Sequence, residues 1–139
     1  RSRVSGPLLD RIDMYVDVPA VPYRDLKKKI ASESSETVRE RVAAARKIQS
    51  DRFAGVPIYC NAQMGTRHIN AFCRIDKTAS NLLEVAMEKL SLSARAYNRV
   101  LKLARTIADL ENRPEILMEH VSEAIQYRSL DRGRGVGGI

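Results

Sequence analysis

LSARAYNRVLKLARTIADL, residues 92–110, decides the fold. At about 100° of rotation per residue, Ala96, Tyr97, Val100, Leu101, Leu103, Ala104, Ile107, Ala108 and Leu110 share one half of the helical wheel. Arg95, Asn98, Arg99, Lys102, Arg105, Thr106 and Asp109 fill the other half. An apolar arc this wide is not covered by one neighbour, so the stretch reads as a central helix with partners on two sides. Ser91 and Ser93 stand where a hydroxyl accepts from first-turn amides that lack an intrahelical partner. Arg95 runs against that start, since it places a fixed cation in the first turn, where the helix dipole favours an anion. A local rule broken inside a consistent segment directs attention to Arg95 as a functional candidate.

The chain has 139 residues, enough for one ordinary domain. It is 44% apolar but only 5% aromatic with no Trp, so its core is built from Leu, Ile, Val and Ala, a mixture suited to packed helices. A formal net charge of +7 favours an anionic partner such as nucleic acid or nucleotide phosphate, and is equally consistent with a merely soluble basic surface. Cys60 and Cys73 have neither CxxC spacing nor clustered His, which argues against a zinc site or a disulfide framework and suits a reducing cytoplasm. No run approaches a membrane span and no secretory signal opens the chain. The absence of an initiating Met, and a start in mid-pattern with RSRVSGPLL, read as part of a longer protein.

Residues 1–22 differ from the rest. Gly6-Pro7 signals a turn, followed by Leu8, Leu9 and the charged cluster Asp10-Arg11-Ile12-Asp13. Ile12, Met14, Val16 and Val18 then alternate with polar positions at strand period, closed by Pro19 and Pro22. One strand makes no sheet, so its partners are expected in sequence outside this chain. A short helix is predicted over 23–30, where Lys27, Lys28 and Lys29 read as a solvated face. Ser and Thr caps at 32–37 open a helix from about Glu36 to Arg52 with a thin apolar stripe, Val38, Val42, Ala45 and Ile48. Its cations, Arg39, Arg41, Arg46, Lys47 and Arg52, face DNA, a neighbouring subunit or water, and the sequence does not choose among these. Gly55-Val56-Pro57 ends that helix, and 58–65 reads as loop. Short helices follow from Thr66 to Ile75, with Ile69, Phe72 and Cys73 inward, and from Thr78 or Ser80, with Leu82, Leu83, Ala86, Met87 and Leu90 inward. After Asn112 and Pro114 a last helix covers Met118 to Ser129, and the Gly-rich 131–139 is expected to be a disordered tail. His68 and His120 stand alone and read as structural residues.

There is no nucleophile with a matching base and no GxxxxGK[ST] phosphate loop, so no catalysis is expected of this chain by itself. Two arginines remain as phosphate ligands. Arg95 lies where free helix-terminal amides and a guanidinium converge on one anion, although a first-turn Arg also leans readily into solvent. Arg11 lies beside a turn at the edge of the absent sheet, flanked by Asp10 and Asp13, which can equally pair with it.

Five blocks, SGPLLDRID with its following strand pattern, ESSETVRERVAAAR, NAQM, LSARAYNRVLKLARTIADLE and HVSEAIQYRSLDR, together resemble the C-terminal portion of magnesium-chelatase-like AAA+ ATPases of the competence protein M group. The SARAYNRVLKLARTIADL block favours this group over the pigment-biosynthesis chelatases. The resemblance implies that Arg11 is an arginine finger reaching the γ-phosphate held by the adjacent subunit, and that Ile12 to Val18 is the last strand of the nucleotide-binding core. It implies that Arg95 is the second sensor, reading ATP phosphate and coupling hydrolysis to lid movement. ATP and Mg2+ would be held by the N-terminal AAA+ core, with none bound by this chain alone. The partners implied are that core, neighbouring subunits of a homo-hexamer and DNA, in a cytoplasmic motor for branch migration or recombination during DNA uptake.

The expected architecture is all-α, a bundle of five or six helices preceded by an orphaned strand. Residues 1–22 would close the AAA+ core, 23–77 hold inserted helices and connections, and 78–130 form the helical lid. Two readings of other classes stand beside this one: a free-standing helix-turn-helix module with Ser93 to Leu110 as recognition helix, and a structural oligomerisation domain.

Overall fold

The computed structural model describes residues 11–20 and 32–129, with only the backbone of Ser129. Five α-helices occur among them: α1 (Ser35–Arg52), α2 (Thr66–Phe72), α3 (Lys77–Lys89), α4 (Ala94–Leu110) and α5 (Met118–Ser129), with one 3-10 turn, η1 (Asn61–Gln63), between α1 and α2. The short helix expected over 23–30, the residues of the first turn before Arg11, and the Gly-rich tail lie outside the described residues. No helix among the described residues is long and apolar enough to cross a membrane.

The helix starts follow local chemistry. Ser34 caps α1 by accepting from the Thr37 amide at 3.1 Å, and Ser93 caps α4 by accepting from the Ala96 amide at 3.3 Å. Asp76, rather than Thr78 or Ser80, caps α3, accepting from the Ala79 amide at 2.7 Å. α2 starts at Thr66 after Gly65 and stops at Phe72, short of the expected Ile75. At its start His68 Nδ1 accepts from the Gly65 amide at 3.2 Å.

α3 and α4 end alike. Ser91 and Asn112 take left-handed backbone, with φ of 45° and 55°. The amides that follow close the Schellman pattern, Leu92 on the Met87 carbonyl at 2.9 Å and Arg113 on the Ala108 carbonyl at 2.8 Å.

α4 is the hub, packing on α1, η1, α2 and α5, while α3 packs on α5. The core gathers Val100, Leu101, Ala104, Ile107 and Ala108 of α4 with Leu83 of α3 and Val121, Ala124 and Ile125 of α5. Burial around α4 is shifted relative to the apolar arc. Tyr97 and Leu110 are exposed, whereas Arg105 and Asp109, assigned by periodicity to the polar face, are buried. α1 is as marginal as its stripe implied, since it buries only Ala45 and Gln49 and leaves Val38 and Val42 exposed.

The strand expected over 12–18 is not formed. Residues 12–20 carry no regular secondary structure, and Val16 and Val18 are exposed. The physical reason is the one the alternation raised, that a strand needs a neighbour for its amides. Among the described residues the only ladder-type contact is an isolated parallel bridge between Ile75 and Ile116, which ties the entries of α3 and α5.

Candidate functional site

Arg95 sits in the first turn of α4, two residues after its cap, and that turn has no acidic residue. The side chain is exposed and makes no hydrogen bond or ion pair to another described residue. The result is a solvent-facing guanidinium at the positive end of a helix dipole, an arrangement suited to an anion.

Arg11 is also exposed, and the turn that carries it is held against the bundle by two other arginines. Arg99, one helical turn beyond Arg95 on α4, donates through Nη1 to the Arg11 carbonyl at 2.7 Å and pairs with the Asp13 carboxylate. Arg128 of α5 donates through Nη1 to the Ile12 carbonyl and reaches the Asp13 carbonyl at 3.5 Å. Its guanidinium lies 5.7 Å from the centre of the Tyr15 ring, and the Tyr15 amide donates to the Tyr127 carbonyl at 2.8 Å. The turn of Arg11 and the helix of Arg95 are therefore joined through Arg99. Sequence reasoning missed Arg99 and Arg128, and only a charge match to Asp13, 86 residues from Arg99, would have pointed to the pair.

The cations of α1 divide into three kinds. Arg52 turns inward, its side chain 13% exposed, and forms a two-point ion pair with Asp109, its Nη1 lying 2.7 Å from Oδ2. This removes it from the set available to DNA or a subunit. Arg41 is exposed but holds Glu33 at 2.7 and 3.2 Å, and Lys47 holds Asp51 at 3.1 Å. Arg39 and Arg46 are exposed and pair with no described residue. Being seven residues apart, they lie on the same side of α1.

Behind α1 lies a buried polar cluster. Asp109, 1% exposed, also accepts from Asn61 Nδ2 at 2.8 Å and from Arg105 Nε at 3.0 Å. Arg105 spends its remaining donors on the Pro114 and Arg113 carbonyls at 2.8 and 2.6 Å, pinning the turn after α4. Burial lowers the Arg105 pKa from its usual value, with the Asp109 charge opposing, and a guanidinium remains charged there. Gln49 accepts from the Asn61 amide at 3.1 Å, fixing η1. Cys73, buried nearby, is pushed up to about 11 by desolvation, which keeps it a neutral thiol. His120, 1% exposed, accepts from the Leu117 amide at 2.9 Å and hydrogen-bonds Glu111 at 3.0 Å through its other nitrogen. The Arg52, Asp109, Arg105, Asn61, Gln49 and His120 side chains all have hydrogen-bond partners within the fold, so the cluster is a structural one.

The magnesium chelatase, subunit ChlI C-terminal family matches residues 32–128, which hold all five helices of this bundle, and the chain belongs to it. Among its relatives are competence protein ComM of Haemophilus influenzae, 39% identical over 132 residues, and an uncharacterized protein YifB of Escherichia coli, 40% identical over 132 residues. An uncharacterized protein of Mycobacterium tuberculosis is 30% identical over 126 residues. The first two alignments cover 94% of this chain and the third 91%, in each case against 25% of the relative. The chain thus spans about a quarter of the length of these curated relatives. It is a ComM-type member of the magnesium-chelatase-like AAA+ group.

Proposed function

We propose that this chain supplies the arginine finger, Arg11, and the second sensor, Arg95, of an AAA+ ATPase that remodels DNA. The observation that carries the reading is Arg95: an exposed guanidinium that pairs with no other described residue, in a first turn without acid, on the hub helix of the bundle. Family membership and the resemblance to ComM support it. In this reading Arg95 holds a phosphate oxygen of ATP bound to its own subunit's core, and motion of α4 carries the bundle with it. Arg11 projects to the nucleotide of the adjacent subunit of a homo-hexamer and stabilises negative charge developing on the transferred γ-phosphoryl group. An arginine in that position is worth about 10³ to 10⁵ in rate in other NTPases.

ATP and Mg2+ are held by the nucleotide-binding core in this reading. Guanidinium groups are donors without lone pairs, so Arg11 and Arg95 suit phosphate oxygens and do not ligate the metal. The apolar alternation Ile12, Met14, Val16 and Val18, exposed to differing degrees, is the edge that the core's sheet would cover. DNA remodelling during uptake is supported by the net charge of +7, by Arg39 and Arg46 on α1, and by the naming of the Haemophilus relative as a competence protein, and this reading sets the protein in the cytoplasm.

The helix-turn-helix alternative is less well supported, because α4 packs on α1, η1, α2 and α5 and commits much of its circumference to the bundle, where a recognition helix needs a readable face for the groove. The test is ATP turnover by the ATPase that carries this chain. Arg11→Ala is expected to lower it at least 100-fold and Arg95→Ala at least 10-fold; unchanged turnover in both overturns the reading.

A further inference from the structure

We infer that Arg99 and Arg128 form a releasable latch on the Arg11 turn, through which the state of Arg95 is passed to the arginine finger. The inference rests on the proposed roles of Arg11 and Arg95, and deepens them with a regulatory connection between two nucleotide sites. Its basis is a juxtaposition. Arg95 and Arg99 are successive turns of one face of α4, and Arg99 grips both the carbonyl of Arg11 and the carboxylate of Asp13. Arg128 grips the Ile12 carbonyl from α5, so the turn is held from two helices.

The seat is shallow, as a latch requires. The Asp13 side chain is 65% exposed, so water screens its pair with Arg99 and competes for the carboxylate. A cleft of about 190 Å³ remains between the turn and α4, lined by Asp13, Met14, Ala62, Arg99 and Leu103. Arg128 Nε is buried with no hydrogen-bond partner among the described residues. A docked state that leaves a buried donor unpaired is departed from at little cost, because release lets water reach it.

Electrostatics supplies the trigger. Arg95 and Arg99 are one helical turn apart, with Cβ atoms roughly 6 Å from each other, so an anion held by Arg95 is within reach of the long Arg99 side chain. It competes with the Asp13 carboxylate for the Arg99 guanidinium and loosens the turn. Since Arg95 reads its own subunit's nucleotide while Arg11 serves the neighbour's, release of the latch lets occupancy of one site govern completion of the next. Arg128 and Asp13 are positioning residues and touch no substrate, whereas Arg99, once released, turns toward the anion on Arg95.

Two measurements test this. In the present chain, hydrogen exchange of the Tyr15 amide, which donates to Tyr127, reports the docked turn. Asp13→Ala, on the exposed turn and remote from the core, is expected to accelerate that exchange at least 5-fold with α4 and α5 amides unchanged, and Arg99→Ala likewise. Unaltered Tyr15 exchange in both overturns the latch. In the ATPase, turnover against ATP concentration is expected to be sigmoidal, with the Hill coefficient falling to about 1 in Asp13→Ala and in Arg99→Ala, and the double variant no different from either single one. A hyperbolic curve for the unsubstituted enzyme, or an unchanged Hill coefficient in the variants, overturns the coupling. Loss of turnover in Arg11→Ala alongside that unchanged coefficient leaves the proposed function standing and removes only the latch; full turnover in Arg11→Ala removes the finger role itself.

Discussion

Asp109 shows how far one buried carboxylate organises the fold. Its side chain is fully enclosed, and it takes Arg52 from α1, Asn61 from η1 and Arg105 from its own helix. Removing it strands two guanidinium groups away from water. Breaking a buried pair in this way costs about 3–5 kcal/mol, a large part of the 5–15 kcal/mol that holds a typical domain. Asp109→Ala is therefore expected to lower the urea midpoint drastically, and a cost under about 1 kcal/mol would show that water already reaches the cluster. Cys73 sets a pH dependence of definite sign. Its pKa is raised from 9.0 to about 11 in the fold, so below about pH 9 both states keep the thiol neutral and its contribution is intact. As pH rises from there to about 11 the unfolded chain releases the proton first, and stability falls by about 2–3 kcal/mol. The difference in unfolding free energy between the parent chain and Cys73→Ala, measured from pH 8 to 11, is expected to show that slope. A flat difference contradicts the burial of the thiol.

At the scale of elements, α4 was legible because its apolar residues repeat at the helical period, and α1 because Ser34 and Glu36 mark its start while the stripe behind them is thin. What periodicity hid was the inward side of Arg105 and Asp109. Two opposite charges four residues apart look like a solvated pair on any helix, and their third member, Arg52, is 57 residues from Asp109. The end of α4 was also readable, since Asn tolerates the left-handed backbone that a Schellman turn demands; Ser91, in the same conformation, carried no such signal. Asn112→Gly is expected to leave stability equal or slightly raised, and Asn112→Ala to lower it by about 1 kcal/mol, both by chemical denaturation. Equal stability of the two variants would show that the turn does not limit the fold. The strand pattern of 12–18 was read from sound alternation, yet alternation specifies a strand only where another strand accepts it.

For the molecule as a whole, composition pointed to an all-helical fold and an anionic partner, and five blocks of sequence pointed to the family; the route by which the Arg11 turn reaches α4 lay in long-range contacts that no local pattern encodes. If α1 meets DNA, the contact runs through Arg39 and Arg46, which have no partners among the described residues. Reversing both to Glu is expected to weaken duplex binding and to reduce the slope of log K against log salt by about 2, one unit per lost phosphate contact. An unchanged slope places the DNA elsewhere. The central claim is that Arg11 acts on the neighbouring subunit's ATP and Arg95 on its own. Mixing inactive subunits of the ATPase tests it most directly. Subunits with Arg11→Ala, combined with subunits whose phosphate loop is disabled, are expected to regain turnover, because some interfaces then join an intact loop to an intact finger. Subunits with Arg95→Ala mixed with the same loop-disabled partner are expected to stay inactive, since no subunit has both loop and sensor. Recovery in the Arg95 mixture, or none in the Arg11 mixture, contradicts the account.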